Sequence, residues 1–169
     1  AKQRTWEDVA GDYLDNKVIQ ILTQKLHYSH PTPIQRQTLH TMMRKKWQDS
    51  STTLDTTKAT MTIPQNVWIQ SETGSGKTVA YLVPIVQDLW QQLPPKNNNS
   101  TTSHSPRSSL GTRCIIVCPT QELVVQTFRI WNAVCTHLCA GQLVVGWLQA
   151  ETSRAKEKAR LRKGLPILI

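Results

Sequence analysis

The sequence predicts an α/β domain built on a parallel sheet with helices on both faces. Three observations carry this reading. Short apolar runs alternate with helical patterns along most of the chain. Residues 113–118 (RCIIVC) are almost continuously apolar, as a parallel strand covered on both faces is. A glycine-rich turn at 71–78 (SETGSGKT) stands between an apolar run and a helical pattern.

The elements follow in order. Residues 17–26 place Val18, Ile21, Leu22 and Leu26 at helical spacing. A second helix is predicted to start at Thr32 as N-cap with Pro33 at the first helical position, and to run to about residue 45. Residues 66–70 (NVWIQ) read as a short strand. A helix over 76–91 is expected to bend at Pro84. After the strand at 113–118 come a helix over 121–138, a third strand at 142–146 and a basic helix at 151–163. Residues 166–169 begin a fourth strand. Two polar segments interrupt the pattern, 48–62 rich in Ser and Thr, and 94–111 rich in Asn, Ser and Pro. Neither has the apolar surface to offset its ordering entropy, so both are expected to be disordered surface inserts.

The chain has 169 residues, 38% of them hydrophobic, and a formal net charge of +9. That length suits one domain. No apolar stretch approaches the roughly 18 residues of a membrane span, so no membrane association is expected. The amino-terminal stretch has no apolar core of a secretory signal. The last residues, 165–169 (LPILI), form an apolar run, which leads us to expect a fragment of a longer protein. The four cysteines form two pairs at four-residue spacing, Cys114/Cys118 and Cys135/Cys139. That spacing fits a zinc site poorly, and buried thiols in a reducing compartment are the expectation.

Residues 71–78 carry the clearest chemistry. Gly74 and Gly76 let the backbone turn so that successive N–H groups face one anion, and the following helix adds its positive end. Lys77 is placed to reach β and γ phosphates, and the Thr78 hydroxyl to ligate Mg²⁺. Ser71 stands where the generic phosphate loop has its first glycine.

The octet Ser71, Glu72, Thr73, Gly74, Ser75, Gly76, Lys77, Thr78 resembles motif I of the DEAD-box RNA helicases. Pro31-Thr32-Pro33-Ile34-Gln35 resembles their Q motif, which here spans 28–35. The resemblance implies that the Gln35 amide reads adenine, donating one hydrogen bond and accepting another. It implies that Tyr28, seven positions earlier, stacks on the base, and that Trp6 packs beneath. His27 stands where the family usually has glycine, and Trp6 lies further upstream than usual. Residues 119–126 (PTQELVVQ) resemble motif Ia, in which Pro119 and Thr120 would meet an RNA phosphate. Gln121 replaces the usual Arg, and Val124 the usual Ala. Gly146-Trp147 stands where the family has a Gly-Gly turn, so Gly146 is the remaining RNA-facing candidate. Residues 155–164 (AKEKARLRKG) resemble a segment of the subgroup that acts in large ribosomal subunit assembly in the nucleolus.

The resemblance implies a RecA-like P-loop domain of three layers, incomplete at its carboxyl terminus, with 1–169 as a partial helicase ATP-binding domain. It implies ATP and Mg²⁺ as cofactors, RNA (pre-rRNA) and pre-ribosomal particles as partners, and a nuclear, nucleolar location. Its acidic motif, its S-A-T motif and its second RecA-like domain would lie beyond Ile169, so this chain alone is expected not to turn ATP over. Two other readings stay open on the sequence. One is an inactive, helicase-derived RNA-binding or assembly scaffold, which the replacements at Gln121, Val124 and Trp147 would suit. The other is a different P-loop ATPase, such as a DNA helicase.

Overall fold

The computed structural model describes residues 3–11, 13–50, 66–93, 111–139, 143–148, 153–162 and 164–169, with backbone alone at 44–50 and 139. The inserts expected at 48–62 and 94–111 lie outside the described residues, except for 48–50 and Gly111. Residues 48–50 are helical. The chain divides into two compact units, Ala1–Gln87 and Asp88–Ile169.

The first unit opens with α1, Trp6–Ala10, an element the periodicity did not reveal. Thr5 caps it reciprocally: its hydroxyl accepts from the Asp8 N–H (3.3 Å), and the Asp8 carboxylate accepts from the Thr5 N–H (2.9 Å). Helix α2, Asn16–Gln20, is capped by Asp15, whose carboxylate accepts from the Lys17 N–H at 2.8 Å. The helical path continues through Ile21–Lys25 as one π turn. There the Thr23 hydroxyl donates to the Ile19 carbonyl at 2.9 Å, the acceptor that an α-helical Thr23 N–H would use. Such back-bonding loosens a helix, and the ladder widens here.

The turn after Leu26 needs a left-handed residue. His27 supplies it with φ +58°, and the Tyr28 N–H then turns back to the Leu22 carbonyl at 2.8 Å. Trp6 is wholly buried, and its indole N–H donates to the Tyr28 carbonyl at 2.7 Å. Helix α3, Pro33–Ser50, packs against α1 and runs further than the sequence suggested. Helix α4, Lys77–Gln91, continues through Pro84. Its Val79, Leu82, Val83 and Val86 are buried, as are Leu14, Val18, Leu22 and Leu39 of the same unit. Gln87 is buried too, and its amide oxygen accepts from the Asp15 N–H at 2.9 Å, so no buried polar cost is left at that oxygen.

Residues 66–70, expected as a strand, pair with no described strand, and Trp68 is 90% exposed. An extended apolar run becomes a strand only when a neighbour meets its backbone groups, and pattern alone carries no information about that neighbour.

The second unit holds a three-stranded parallel sheet in the order β1-β3-β2, with β1 Cys114–Ile115, β2 Val145–Gly146 and β3 Ile167–Leu168. Cys114 and Val145 both register with Ile167, which is fully buried at the centre. The ladder is extended by Ile116 N–H to Leu168 O (2.8 Å) and Ile169 N–H to Gly146 O (2.9 Å). Helix α5, Gln121–Cys139, packs on β2 and buries Trp131, Val134, Cys135 and Leu138. Helix α6, Arg154–Arg162, precedes β3 and buries nothing.

The expectation that 113–118 is covered on both faces is corrected here. Cys114, Ile116 and Cys118 are half-buried, whereas Ile115 is 67% and Val117 is 89% exposed. A continuous apolar run hides the period of two that burial reveals. Cys114, Cys118 and Cys135 are free thiols, of which Cys135 alone is fully buried; burial pushes the Cys114 thiol above its ordinary range.

The left-handed turn yields a test. A side chain at positive φ costs about 1–2 kcal/mol, and the His27 side chain is exposed. His27→Gly is therefore expected to raise unfolding stability by ~1 kcal/mol in a denaturant titration.

Candidate functional site

The phosphate-loop candidate is built between the start of α3 and the start of α4. Thr32-Pro33-Ile34-Gln35 forms a second reciprocal cap. The Gln35 amide oxygen accepts from the Thr32 N–H (2.9 Å), and the Thr32 hydroxyl accepts, at a longer 3.5 Å, from the Gln35 N–H. Both side chains then reach the loop. The Thr32 hydroxyl donates to the Ser75 carbonyl (2.9 Å), and the Gln35 amide nitrogen donates to the Gly76 carbonyl (3.2 Å). Arg36 donates to the Pro31 carbonyl at 3.2 Å and steadies the entry to the turn. Gln35 is only 5% exposed. An amide has two N–H groups and two acceptor lone pairs, so these bonds leave one of each on Gln35.

The loop itself turns on two glycines in the left-handed region, Gly74 at φ +77° and Gly76 at φ +89°. A Cβ at Gly76 would overlap the Gln35 amide nitrogen, so glycine is required there by approach as well as by conformation. Lys77 opens α4 and donates its ammonium hydrogens to the carbonyls of Ser71 (2.7 Å) and Glu72 (2.5 Å). Thr73 and Gly74 form the exposed tip of the turn, and Thr78 is half-buried in the first turn of α4. The Ser75 hydroxyl is buried with no hydrogen-bond partner among the described residues. A buried hydroxyl without a partner costs about 1–3 kcal/mol, and in a loop of this shape an anionic ligand would remove that cost.

Tyr28 is 36% exposed, with its backbone rather than its ring engaged by Trp6. Tyr28, Gln35 and 71–78 thus fall in one compact unit, as the sequence spacing suggested. What the sequence did not reveal is the second role of Thr32. The pattern T-x-x-Q at a helix start marks a reciprocal cap, but nothing local tells that its hydroxyl also grips the loop.

The second unit holds the other candidates. Pro119 and Thr120 are exposed ahead of α5. The Thr120 hydroxyl accepts from the Leu123 N–H (3.3 Å), so it caps the helix and keeps its own hydrogen free to donate. Gly146 sits elsewhere, buried in β2 with its carbonyl in the ladder, and a Cβ there would overlap Leu165. Its glycine is explained by packing, and it presents no surface to a ligand. Trp147, in place of a second glycine, lays its ring on Phe128 at 4.7 Å between centroids and 32° between planes, a pair worth ~0.5–1.5 kcal/mol.

Residues 32–169 match the DEAD/DEAH box helicase family. The chain belongs to that family. Among curated relatives, this helicase-family chain is 32% identical over 160 residues to the ATP-dependent RNA helicase dbp7 of Schizosaccharomyces pombe, covering 95% of this chain and 19% of the relative. It is 35% identical over 156 residues to dbp-7 of Neurospora crassa, covering 92% and 17%. The chain therefore spans about a fifth of the length of the relatives it matches. Among solved structures it resembles the yeast DEAD-box splicing factor Prp28 (TM-score 0.69, 22% identity, 98% of this chain and 32% of that one). It also resembles Mss116 bound to single-stranded RNA and UDP-BeF (TM-score 0.65, 20% identity, 99% and 28%). These likenesses establish the RecA-like fold, of which the described parallel sheet and helices are a part. No described helix is long and apolar enough to cross a membrane.

The grip of Thr32 on the loop can be tested. Thr32→Val keeps shape but loses the cap and the bond to Ser75. Unfolding stability of the domain that holds this loop is expected to fall by about 1–2 kcal/mol, read from denaturant titration of a domain-specific fluorescence signal.

Proposed function

We propose that this chain is the nucleotide-binding portion of an ATP-dependent RNA helicase that couples ATP hydrolysis to remodelling of RNA duplexes. The observation that carries the reading is the bonding of Thr32 and Gln35 to the Ser75 and Gly76 carbonyls. It joins an adenine-reading amide to the backbone of a phosphate loop, so base choice and phosphate binding share one support.

The residues present fit ATP. Gly74 and Gly76 hold the turn open, and the unpaired first N–H groups of α4 point toward its amino end. The Ser75 hydroxyl has a hydrogen to donate. Lys77 would exchange its bonds to the Ser71 and Glu72 carbonyls for phosphate oxygens, an exchange of neutral acceptors for charged ones that favours the ligand. Thr78 is the residue that would ligate Mg²⁺. Gln35 has one N–H and one lone pair left to present to an adenine edge, and Tyr28 has an exposed ring for its face. ATP supplies the anhydride whose cleavage drives the cycle when bound. Pro119 and Thr120 would meet an RNA phosphate, through the free hydroxyl hydrogen of Thr120 and the amino end of α5.

The substrate class we propose is pre-rRNA in large ribosomal subunit assembly, with a nuclear, nucleolar location. Support comes from the likeness of 155–164 to the subgroup acting there and from relatives named as ATP-dependent RNA helicases. An inactive scaffold would have no use for a gripped loop with Lys77 and Thr78 in place, and Trp147 has its own packing role.

Two measurements on the complete protein test this. Lys77→Ala is expected to lower ATP turnover by on the order of 10²-fold or more; wild-type turnover would remove the phosphate-loop assignment. Tyr28→Ala is expected to weaken ATP binding by ~1–3 kcal/mol, the usual loss when a stacked base loses its ring. Its melting temperature should be almost unchanged, because the Tyr28 carbonyl still anchors Trp6. Equal affinity for ATP and GTP in the wild type would exclude base reading by Gln35.

A further inference from the structure

Helix α6 is a helix without a core. None of its nine residues, Arg154–Arg162, is buried. Five of them are cations (Arg154, Lys156, Lys158, Arg160, Arg162), all exposed, against the single acid Glu157. A surface helix normally holds its place by an apolar stripe, and here only Leu161, 39% exposed, approaches one.

Several of the charges also work against the helix itself. Arg154, Lys158 and Arg162 follow one another at four-residue steps and share one stripe, about 6 Å apart along the axis. Lys156 and Arg160 repeat that spacing on another. Like charges at this spacing destabilise a helix. Arg154 and Lys156 further occupy the first turn, where the helix dipole favours anions, and Glu157 is the one acid there; Arg160 and Arg162 stand at the last turn, which the dipole favours. The ends are nonetheless well fixed. The Ser153 carbonyl accepts from the Lys156 N–H (3.0 Å) and the Glu157 N–H (3.2 Å). Gly164 closes the other end at φ +79°, its N–H on the Leu161 carbonyl at 3.0 Å, leading into buried Leu165 and Pro166.

We infer that α6 is a second RNA-contacting surface, whose Arg154, Lys158 and Arg162 stripe binds the phosphodiester backbone without reading sequence. The inference rests on the reading of the chain as an RNA-binding protein and adds a site to it. A polyanion is the partner that offsets the repulsion: it neutralises the Arg154, Lys158 and Arg162 stripe and meets the cations at the positive end of the helix dipole. A protein partner fits less well, because interface cores use aromatic and apolar anchors and are poor in lysine, and α6 offers only Leu161.

The test uses the complete protein without nucleotide, a labelled single-stranded oligouridylate as probe, and a salt titration. Each lost phosphate contact on a single strand lowers the slope of log K against log salt by about 0.7. The triple variant Arg154→Gln, Lys158→Gln, Arg162→Gln is expected to lose about 2 from that slope. A control that neutralises three exposed cations elsewhere, Arg4→Gln, Lys17→Gln, Lys25→Gln, is expected to keep it. Circular dichroism should show helix content maintained, since like-charge repulsion has been removed. An unchanged slope in the triple variant overturns the inference, as does an equal loss in the control or a wild type that binds no RNA. Retained RNA binding with loss of an acidic protein partner overturns it in favour of a protein site. ATP turnover of the same preparations reports separately on the phosphate loop, so absent turnover with an altered slope would sink the nucleotide reading while leaving α6 as an RNA surface.

Discussion

Two hydrogen bonds, from Thr32 to the Ser75 carbonyl and from Gln35 to the Gly76 carbonyl, tie the first turn of α3 to the loop that opens α4. Much of the first unit serves to keep that turn in place. The reciprocal cap fixes the Thr32 and Gln35 side chains relative to each other, so neither can release the loop alone. The near-complete burial of Gln35 raises the stakes: with the Gly76 carbonyl withdrawn, its amide N–H is stranded away from water. A loop of two left-handed glycines has little rigidity of its own, and borrows it from the helix behind.

Upstream, the same unit accepts a local penalty to place one ring. Trp6 holds the Tyr28 backbone from below, and His27 takes a conformation that side chains avoid so that the chain can turn there. The position needs a left-handed residue whatever its identity, which is why glycine is usual in the resembled motif. Trp6 lies further upstream than usual, yet its indole still meets the backbone of the motif. Sequence distance to an anchor matters less than whether a helix such as α1 can carry it into place.

Most helix positions, and the grouping of Tyr28, Gln35 and residues 71–78 in one unit, were legible from the sequence because they depend on local chemistry, whereas α1 was not. Thr32-Pro33 announces a helix start, and Gly74 and Gly76 announce a turn. What could not be read were features set by partners distant in the chain. The run at 66–70 has strand composition but no described strand beside it. Ile115 and Val117 look as buried as Ile116, yet among the described residues they are exposed and it is half-buried. Gly146 resembled a phosphate-approach glycine, and its need for a missing Cβ is explained by Leu165, nineteen residues on. Trp147 looked like a lost glycine and is a ring partner for Phe128.

The strand order β1-β3-β2 carries a consequence for how the second unit is assembled. The central strand is the last of the three to be synthesised, and Cys114 waits for Ile167 to complete its pairing. Until then β1 and β2 have no strand between them, and α5 can dock on β2 only as a helix on an isolated extended segment. Pairing of these three strands therefore depends on long-range loop closure. During translation the half-made unit would offer unpaired backbone edges to chaperones or to other nascent chains. Slowing elongation before Ile167 would lengthen that exposure; slowing it afterwards would leave time for β3 to insert.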